Sequence, residues 1–294
     1  MKFYIIVHLY IILMYPRIIS LLMDNGNIYR KIKTRKENHY VNICQNSECK
    51  DQYKNKKLIS ISPGGLKGFY LLGITTFIKE NYCLDNYVFS GASAGAWNAL
   101  YMSYKGEPNE FIKKILNEKT NNAKTIIDVK NAIKENILEN YNKDDFELEK
   151  LFVGVKTFSD TVIYSNFENI EDAIDCCIAS SHIPFITGGM LNLYHNKYTF
   201  DGGFSEHPYL KQPAVLHITP NIWENNELDD FGMIKKNVKK EFETKRKHSL
   251  DINQYTTLFS RNKYDFLKTY QKGYEDTTLN RHKLDYIFSN DKFE

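Results

Sequence analysis

The chain has 294 residues, 42% of them hydrophobic and 26% charged, with a formal net charge of +3. That is enough apolar material for one large core, and the charge is too evenly balanced for nucleic-acid binding as a whole-surface property. The five cysteines are an odd set, with Cys176 and Cys177 adjacent in an apolar run; this argues against a disulfide framework and for a reducing compartment.

Residues 3–23 (FYIIVHLYIILMYPRIISLLM) form the most apolar run. At about 1.5 Å per residue it is long enough to cross a bilayer. His8, Pro16 and Arg17 count against that reading, since an arginine near mid-membrane costs about 2.5–3.5 kcal/mol on insertion scales. Three readings stand: a membrane anchor, a signal peptide lacking a small-x-small cleavage site, or residues upstream of a start at Met23. For an anchor, the basic run Arg30, Lys31, Lys33, Arg35 and Lys36 puts the residues that follow on the cytoplasmic side. Residues 24–57 are polar and basic with no clear period and read as a tether. Within them Cys44 and Cys49 lack the second pair that a zinc site needs and read as free thiols.

From Leu58 the pattern changes. Leu58-Ile59-Ser60-Ile61 reads as a strand running into a Pro63-Gly64-Gly65 turn, and Phe69 to Lys79 reads as a helix, so the loop offers the Gly64 and Gly65 amides to an anion. The unit repeats: Tyr87 to Ser90 is a strand, Ala94 to Tyr104 a helix, and Ser93 sits at the corner with Gly91 and Gly95 two positions either side. This is the spacing of a nucleophile elbow. Two strand–turn–helix units within fifty residues predict a parallel sheet whose active edge is the carboxyl ends of its strands.

Phe111, Ile112, Ile115 and Leu116, then Ile126, Val129, Ile133 and Ile137, fall at helical spacing and predict two amphipathic helices, packed on the core or forming a lid. Leu151–Val155 and Thr161–Tyr164 read as strands joined at Phe158-Ser159-Asp160. A helix is predicted over Glu168–Ser180, capped by Asn166 and ended by the Ile183-Pro184 step. Tyr198-Thr199-Phe200 reads as a strand that delivers Asp201, followed by Gly202 and Gly203, to the edge that carries Ser93. Val215–Thr219 is a buried strand. Ile234, Val238 and Phe242, flanked by Lys235, Lys236, Lys239, Lys240, Lys245, Arg246 and Lys247, predict a basic amphipathic helix, solvated or in contact with a membrane surface. Phe266, Leu267, Tyr270 and Tyr274 predict a last helix.

Four pieces in this order, Gly64-Gly65-Leu66-Lys67-Gly68, Gly91-Ala92-Ser93-Ala94-Gly95, Ala179-Ser180-Ser181-His182-Ile183-Pro184 and Asp201-Gly202-Gly203, resemble the patatin-like phospholipase family over about residues 58–220. The resemblance implies an α/β fold of three layers, with a mostly parallel central sheet and helices on both faces. It implies a domain over 58–294, its motif-bearing core ending near 220 and a helical part over 221–294. It implies cleavage of lipid acyl esters by a Ser93–Asp201 dyad without histidine, an oxyanion hole at Gly64, Gly65 and Leu66, and an anion contact at Lys67. No metal or cofactor is expected, and the partners implied are a lipid and a membrane surface.

Two departures stand out. Ser62-Pro63 occupies the place where the family usually has Asp-Gly, and proline has no N–H to donate. Lys67 replaces the usual arginine and loses its two-pronged grip on phosphate. Two other readings compete. One is a Ser-His-Asp hydrolase, with His207, His217, His248 or His282 following Asp201 or with His182 before it; the other is a catalytically weak lipid-binding module. The class of ester, and hydrolysis against acyl transfer, stay open at this stage.

Overall fold

The apolar runs on either side of the two glycine corners become the centre of a seven-stranded sheet. The computed structural model describes residue 53, residues 55–223 and residues 265–289, all within one compact unit, Asn42–Glu294. The apolar run at 3–23, Cys44, Cys49, the basic helix around 234–247 and His248 lie outside the described residues.

Strand β1 (Lys57–Ile61) runs between β2 (Tyr87–Gly91) and β7 (Ala214–Ile218), and β2 is followed by β3 (Leu151–Thr157). All three pairings are parallel, as the strand–turn–helix repeats predict. Every residue of β2 is buried, which suits a central strand covered on both faces. Three antiparallel strands, β4 (Thr161–Tyr164), β5 (Asn192–Tyr194) and β6 (Lys197–Phe200), complete the sheet.

The register around β3 decides where the site forms. Val153 pairs with both Gly91 of β2 and Tyr164 of β4, so those strands flank opposite edges of β3. Lys156 pairs with Thr161 of β4 and Phe200 of β6, so β6 shares the edge of β2, beyond the point where β2 ends. Because β6 is antiparallel to β3, it descends toward the carboxyl end of β2 and delivers its next residue, Asp201, there.

Helices flank the sheet: α1 (Gly68–Asn81), α2 (Ala94–Met102), α3 (Pro108–Ile115), the single turn α4 (Glu118–Asn121), α5 (Ile126–Asn140), α6 (Ile170–Ser180), α7 (Phe266–Leu279) and α8 (Arg281–Ser289). α2 packs across β1, β2 and β3, and α6 packs against β3. The other face of the sheet, carrying Leu58, Val88 and Phe152, is packed against Tyr53. The Tyr53 ring stands edge-on to Phe152 at 4.6 Å, so the stretch read as a tether already contributes to the core at Tyr53. A polar composition hides one aromatic anchor.

The cap of α6 also differs from expectation. Asn169, not Asn166, accepts a hydrogen bond from the Asp172 N–H, and Asn166 sits in the preceding turn with φ 56°. No described helix is long and apolar enough to cross a membrane.

α7 lies on α1, and the two helices meet at a pair of glycines. A Cβ at Gly73 would lie 2.1 Å from the Tyr270 carbonyl oxygen, and one at Gly273 would lie 2.1 Å from that of Tyr70. The approach is therefore open only to glycine on both sides. Around it, Phe69 packs on Phe266 at 4.4 Å and Tyr70 donates to Asp276 at 2.8 Å. Gly273→Leu is expected to force the helices apart at a cost of about 1–3 kcal/mol. Urea unfolding checks this as a lower midpoint with the same slope; an unmoved midpoint would mean that α7 does not share the cooperative unit.

Candidate active site

Ser93 occupies the corner between β2 and α2 with φ 54° and ψ −128°. A non-glycine residue in this region is strained by about 1–3 kcal/mol and persists only where its surroundings hold it. The holding contacts are visible. A Cβ at Gly91 would lie 2.1 Å from the Gly95 oxygen, and one at Gly95 would lie 2.1 Å from the Ile61 oxygen, so the helix can turn back this tightly only with glycine at both places. The Ser93 N–H donates to Ser180 Oγ at 2.8 Å, and that hydroxyl donates in turn to the Gly154 carbonyl at 2.7 Å. Ser180 thus ties the corner to β3 and α6, a role that its place in the Ala179–Pro184 segment does not reveal.

Asp201 arrives from β6 as derived above. Its Oδ2 accepts the Ser93 hydroxyl at 2.6 Å and its Oδ1 accepts the Gly203 N–H at 2.7 Å. Its own N–H donates to the His182 carbonyl at 2.7 Å. Both Ser93 and Asp201 are 3% exposed. Burial pushes the carboxyl pKa up to about 6, against the opposing pull of the hydrogen bonds from Ser93 and Gly203. Such a carboxyl keeps an ionised fraction at neutral pH and is more basic than an exposed one, which is what proton transfer from a hydroxyl requires.

The glycine loop lies alongside. Gly65 has φ 53°, a conformation that side chains rarely tolerate, and it opens a short 3-10 turn, Gly65–Lys67, that leads into α1. Gly65 and Leu66 belong to the wall of the same cavity as Ser93 and Asp201. Gly64 is packed between Leu71 and Pro220, each 3.2 Å from where its Cβ would be. Pro63 packs against Gly203, whose Cβ would fall 3.2 Å from the proline ring. The residue that departs from the family pattern therefore braces the turn that holds Asp201. Lys67 turns outward, donating to Asn221 at 3.2 Å.

No described histidine is hydrogen-bonded to the side chain of Ser93 or Asp201. His217 pairs with Ser60 at 2.7 Å, and His207 lines a separate recess with Lys156 and Glu206. His182 is buried with its Nε2 lacking a hydrogen-bond partner, and burial lowers its pKa; its backbone carbonyl, not its ring, meets Asp201. His282 lies on α8.

The cavity has a volume of about 130 Å³. Its wall is mostly apolar, built from Leu72 of α1, Trp97 of α2, Phe111 and Ile115 of α3 and the Ile133–Ile137 face of α5. The amphipathic faces read as core or lid thus enclose the space into which Ser93 opens. One cation, Lys130, joins this wall, and nothing in the sequence pattern singled it out. Among the described residues, no group of three or more His, Cys, Asp or Glu side chains is placed to hold a metal ion.

A search of curated proteins finds no match to the chain. A family model described as patatin-like phospholipase matches residues 59–210, from the middle of the strand before the glycine loop to just past the Asp201 turn. That match covers just over half of the chain and spans all four ordered motifs, and with a mostly parallel sheet flanked by helices beneath it the conclusion is plain: the chain belongs to the patatin-like phospholipase family of lipid acyl hydrolases.

Proposed function

We propose that this chain cleaves carboxylic esters of lipids with Ser93 as nucleophile and Asp201 as its base. The observation that carries the reading is the 2.6 Å bond from the Ser93 hydroxyl to a buried carboxylate on the wall of an apolar cavity. The acyl chain enters the cavity and the ester carbonyl stands over Ser93. Oγ attacks the carbonyl carbon while its proton passes to Asp201 Oδ2. The negative oxygen of the tetrahedral intermediate takes hydrogen bonds from the Gly64 and Gly65 amides, with Leu66 next in the turn. The intermediate collapses, the alcohol leaves with the proton from Asp201, and an acyl-enzyme remains. Water then attacks the acyl carbon, giving its proton to Asp201; collapse returns a proton to Ser93 and frees the fatty acid.

The left-handed Gly65 supports the oxyanion assignment, because it lines the same cavity as Ser93 with no side chain in the way. Pro63 subtracts one donor from this loop relative to the family pattern, and Gly64 and Gly65 are the donors that remain before Leu66. We also propose contact with a membrane surface and a reducing, cytoplasm-facing compartment. Supporting the first, Phe158, Leu193 and Tyr198 are exposed; Leu193 lies opposite Tyr198 in the β5–β6 hairpin, whose ring is 6.0 Å from that of Phe158. Supporting the second, Cys83, Cys176 and Cys177 are free thiols. Sedimentation with anionic vesicles and cell fractionation test these two readings. A chain left in the supernatant removes the first, and a secreted, oxidised chain removes the second.

Ser93→Ala is expected to abolish both turnover and labelling by a fluorophosphonate while the protein stays folded. Asp201→Asn should fall nearly as far, by at least about a hundredfold in kcat. Retention of more than about a hundredth of wild-type kcat in Ser93→Ala would refute the nucleophile assignment.

The pH profile follows from the base. Asp201 works as a carboxylate and is protonated below its pKa of about 6, so kcat/KM should climb with pH through a midpoint near 6 and level off above it. An ascending limb that moves when His182 is replaced, with Asp201 in place, would bring back the histidine reading.

Gly65→Ala forces a Cβ onto a backbone at φ 53°. A fall in kcat of roughly tenfold to a thousandfold with little change in KM is expected, the pattern of a contact made mainly in the transition state. An unchanged kcat would move the oxyanion donors to the start of α2.

A further inference from the structure

We infer that Asn98 is a positioning residue that fixes the glycine loop against Ser93 and so sets the distance at which the loop amides meet the developing oxyanion. The inference rests on the catalytic reading above and adds to it a residue that acts through the backbone of two others.

Loop and nucleophile belong to different strand–turn–helix units. The loop joins β1 to α1, whereas Ser93 joins β2 to α2. The last pair in the ladder between the two strands is Ile61 with Gly91, so Gly64, Gly65 and Ser93 all lie past the point where strand pairing fixes their separation. Asn98 spans the two units at that end. It is buried and sits one turn into α2, where its Nδ2 donates to the Ala94 carbonyl of its own helix at 2.9 Å and across to the Gly68 carbonyl at 3.2 Å. Gly68 closes the loop's 3-10 turn, its N–H directed at the carbonyls of Gly65 and Leu66. Two links therefore lead from the Asn98 amide to Gly65, and one leads to the residue that follows Ser93. The helices meet closely here, since a Cβ on Gly68 would lie 2.9 Å from that of Ala94.

The residue type fits the task. Two carbonyl oxygens face this side chain, and an amide NH2 offers one donor to each from a single atom; the flipped amide would set Oδ1 against both. In the bonded orientation Oδ1 meets the Thr75 hydroxyl at 3.2 Å. Thr75 also has the Leu71 and Leu72 carbonyls of its own helix at 3.0 and 3.1 Å, so its hydroxyl does not depend on Asn98. Asn98 and Gly68 line the same cavity as Ser93 and Gly65, which places the clamp at the site and not behind it. Against these observations stands a simpler role, in which Asn98 is a satisfied polar side chain that only stabilises the packing of α1 on α2.

Asn98→Asp keeps the shape and, when ionised, loses both donors. On a p-nitrophenyl ester its kcat is expected to fall roughly tenfold to a hundredfold with KM little changed, since a misplacement of about 1 Å costs up to about a hundredfold. An alkyl trifluoromethyl ketone reads the oxyanion hole directly: Ser93 Oγ bonds to its carbonyl carbon, the carbonyl electron pair moves onto oxygen, and the hydroxyl proton passes to Asp201. Its inhibition constant should rise by the factor that kcat falls, while that of an ether with the same alkyl chain stays within about threefold. Thr75→Val removes the partner that does not face the loop and should hold kcat within about threefold. In a Gly65→Ala background Asn98→Asp should cost less than about threefold, because the loop it positions is already displaced. If the urea midpoint of Asn98→Asp drops while kcat and the ketone hold, Asn98 serves packing alone and the inference is wrong. Effects of Asn98→Asp and Gly65→Ala that simply multiply overturn it as well. Should Asn98→Asp not fold, Asn98→Ser, too short to reach Gly68, carries the same comparisons. An unchanged kcat in Gly65→Ala removes the loop assignment, and a wild-type protein that neither turns over ester nor is labelled at Ser93 removes the catalytic reading; each takes this inference with it, and neither follows from a failure at Asn98 alone.

Discussion

The hydrogen bond between Ser93 and Asp201 joins residues 108 apart in the chain, and most of the architecture can be understood as what is needed to make it. A parallel sheet alone would send both residues to its carboxyl edge and leave them on separate strands, a strand spacing or more apart. The antiparallel β6 solves this by occupying the edge of β3 that β2 leaves vacant. The acid then comes toward the elbow end-on, from a strand of the same sheet. The bond length is set by strand register, which is stiff, and not by a flexible loop.

Burial of that pair has two opposed effects. The Asp201 carboxyl is raised to about 6 by desolvation, so the protein loses stability as pH rises through that value and the group must ionise inside the core; the contribution is fully present only below the ordinary carboxylate pKa. In the proposed mechanism the same ionisation creates the base. The form proposed to be catalytically competent is therefore the less stable one, and the backbone strain at Ser93 has the same sign. The counterweights are the backbone N–H of Gly203, the brace of Pro63 on that glycine, and the Ser180 hydroxyl linking the corner to Gly154.

Much of this was legible in the chain because its signals are local. Apolar runs ending in glycine, with helical periods after them, specify β1, α1, β2 and α2 to within a few residues, and the order of the motifs specified the family. What stayed hidden depends on partners distant in sequence or on atypical local chemistry. The β5–β6 turn is His195-Asn196, with φ of 45° and 59°, a pair of left-handed residues without the glycine that usually marks such a hairpin. The side chain of Ser180 takes its meaning only from Ser93 and Gly154. Lys130 falls among Ile126, Val129 and Ile133, where periodicity registers an amphipathic face and treats one lysine within it as noise. Tyr53 was concealed by its polar neighbours in the same way.

The glycine contact between α1 and α7 bears on where this enzyme begins and ends as a physical object. The family match stops at residue 210, yet the helix that starts directly behind the glycine loop is covered by residues 266–279. A chain cut after the last motif would keep every proposed catalytic group and bare Phe69, Gly73 and Phe77 to water, inviting self-association through the surface that α7 normally occupies. The folded unit is wider than its signature, and its far end covers the helix that begins directly after the glycine loop.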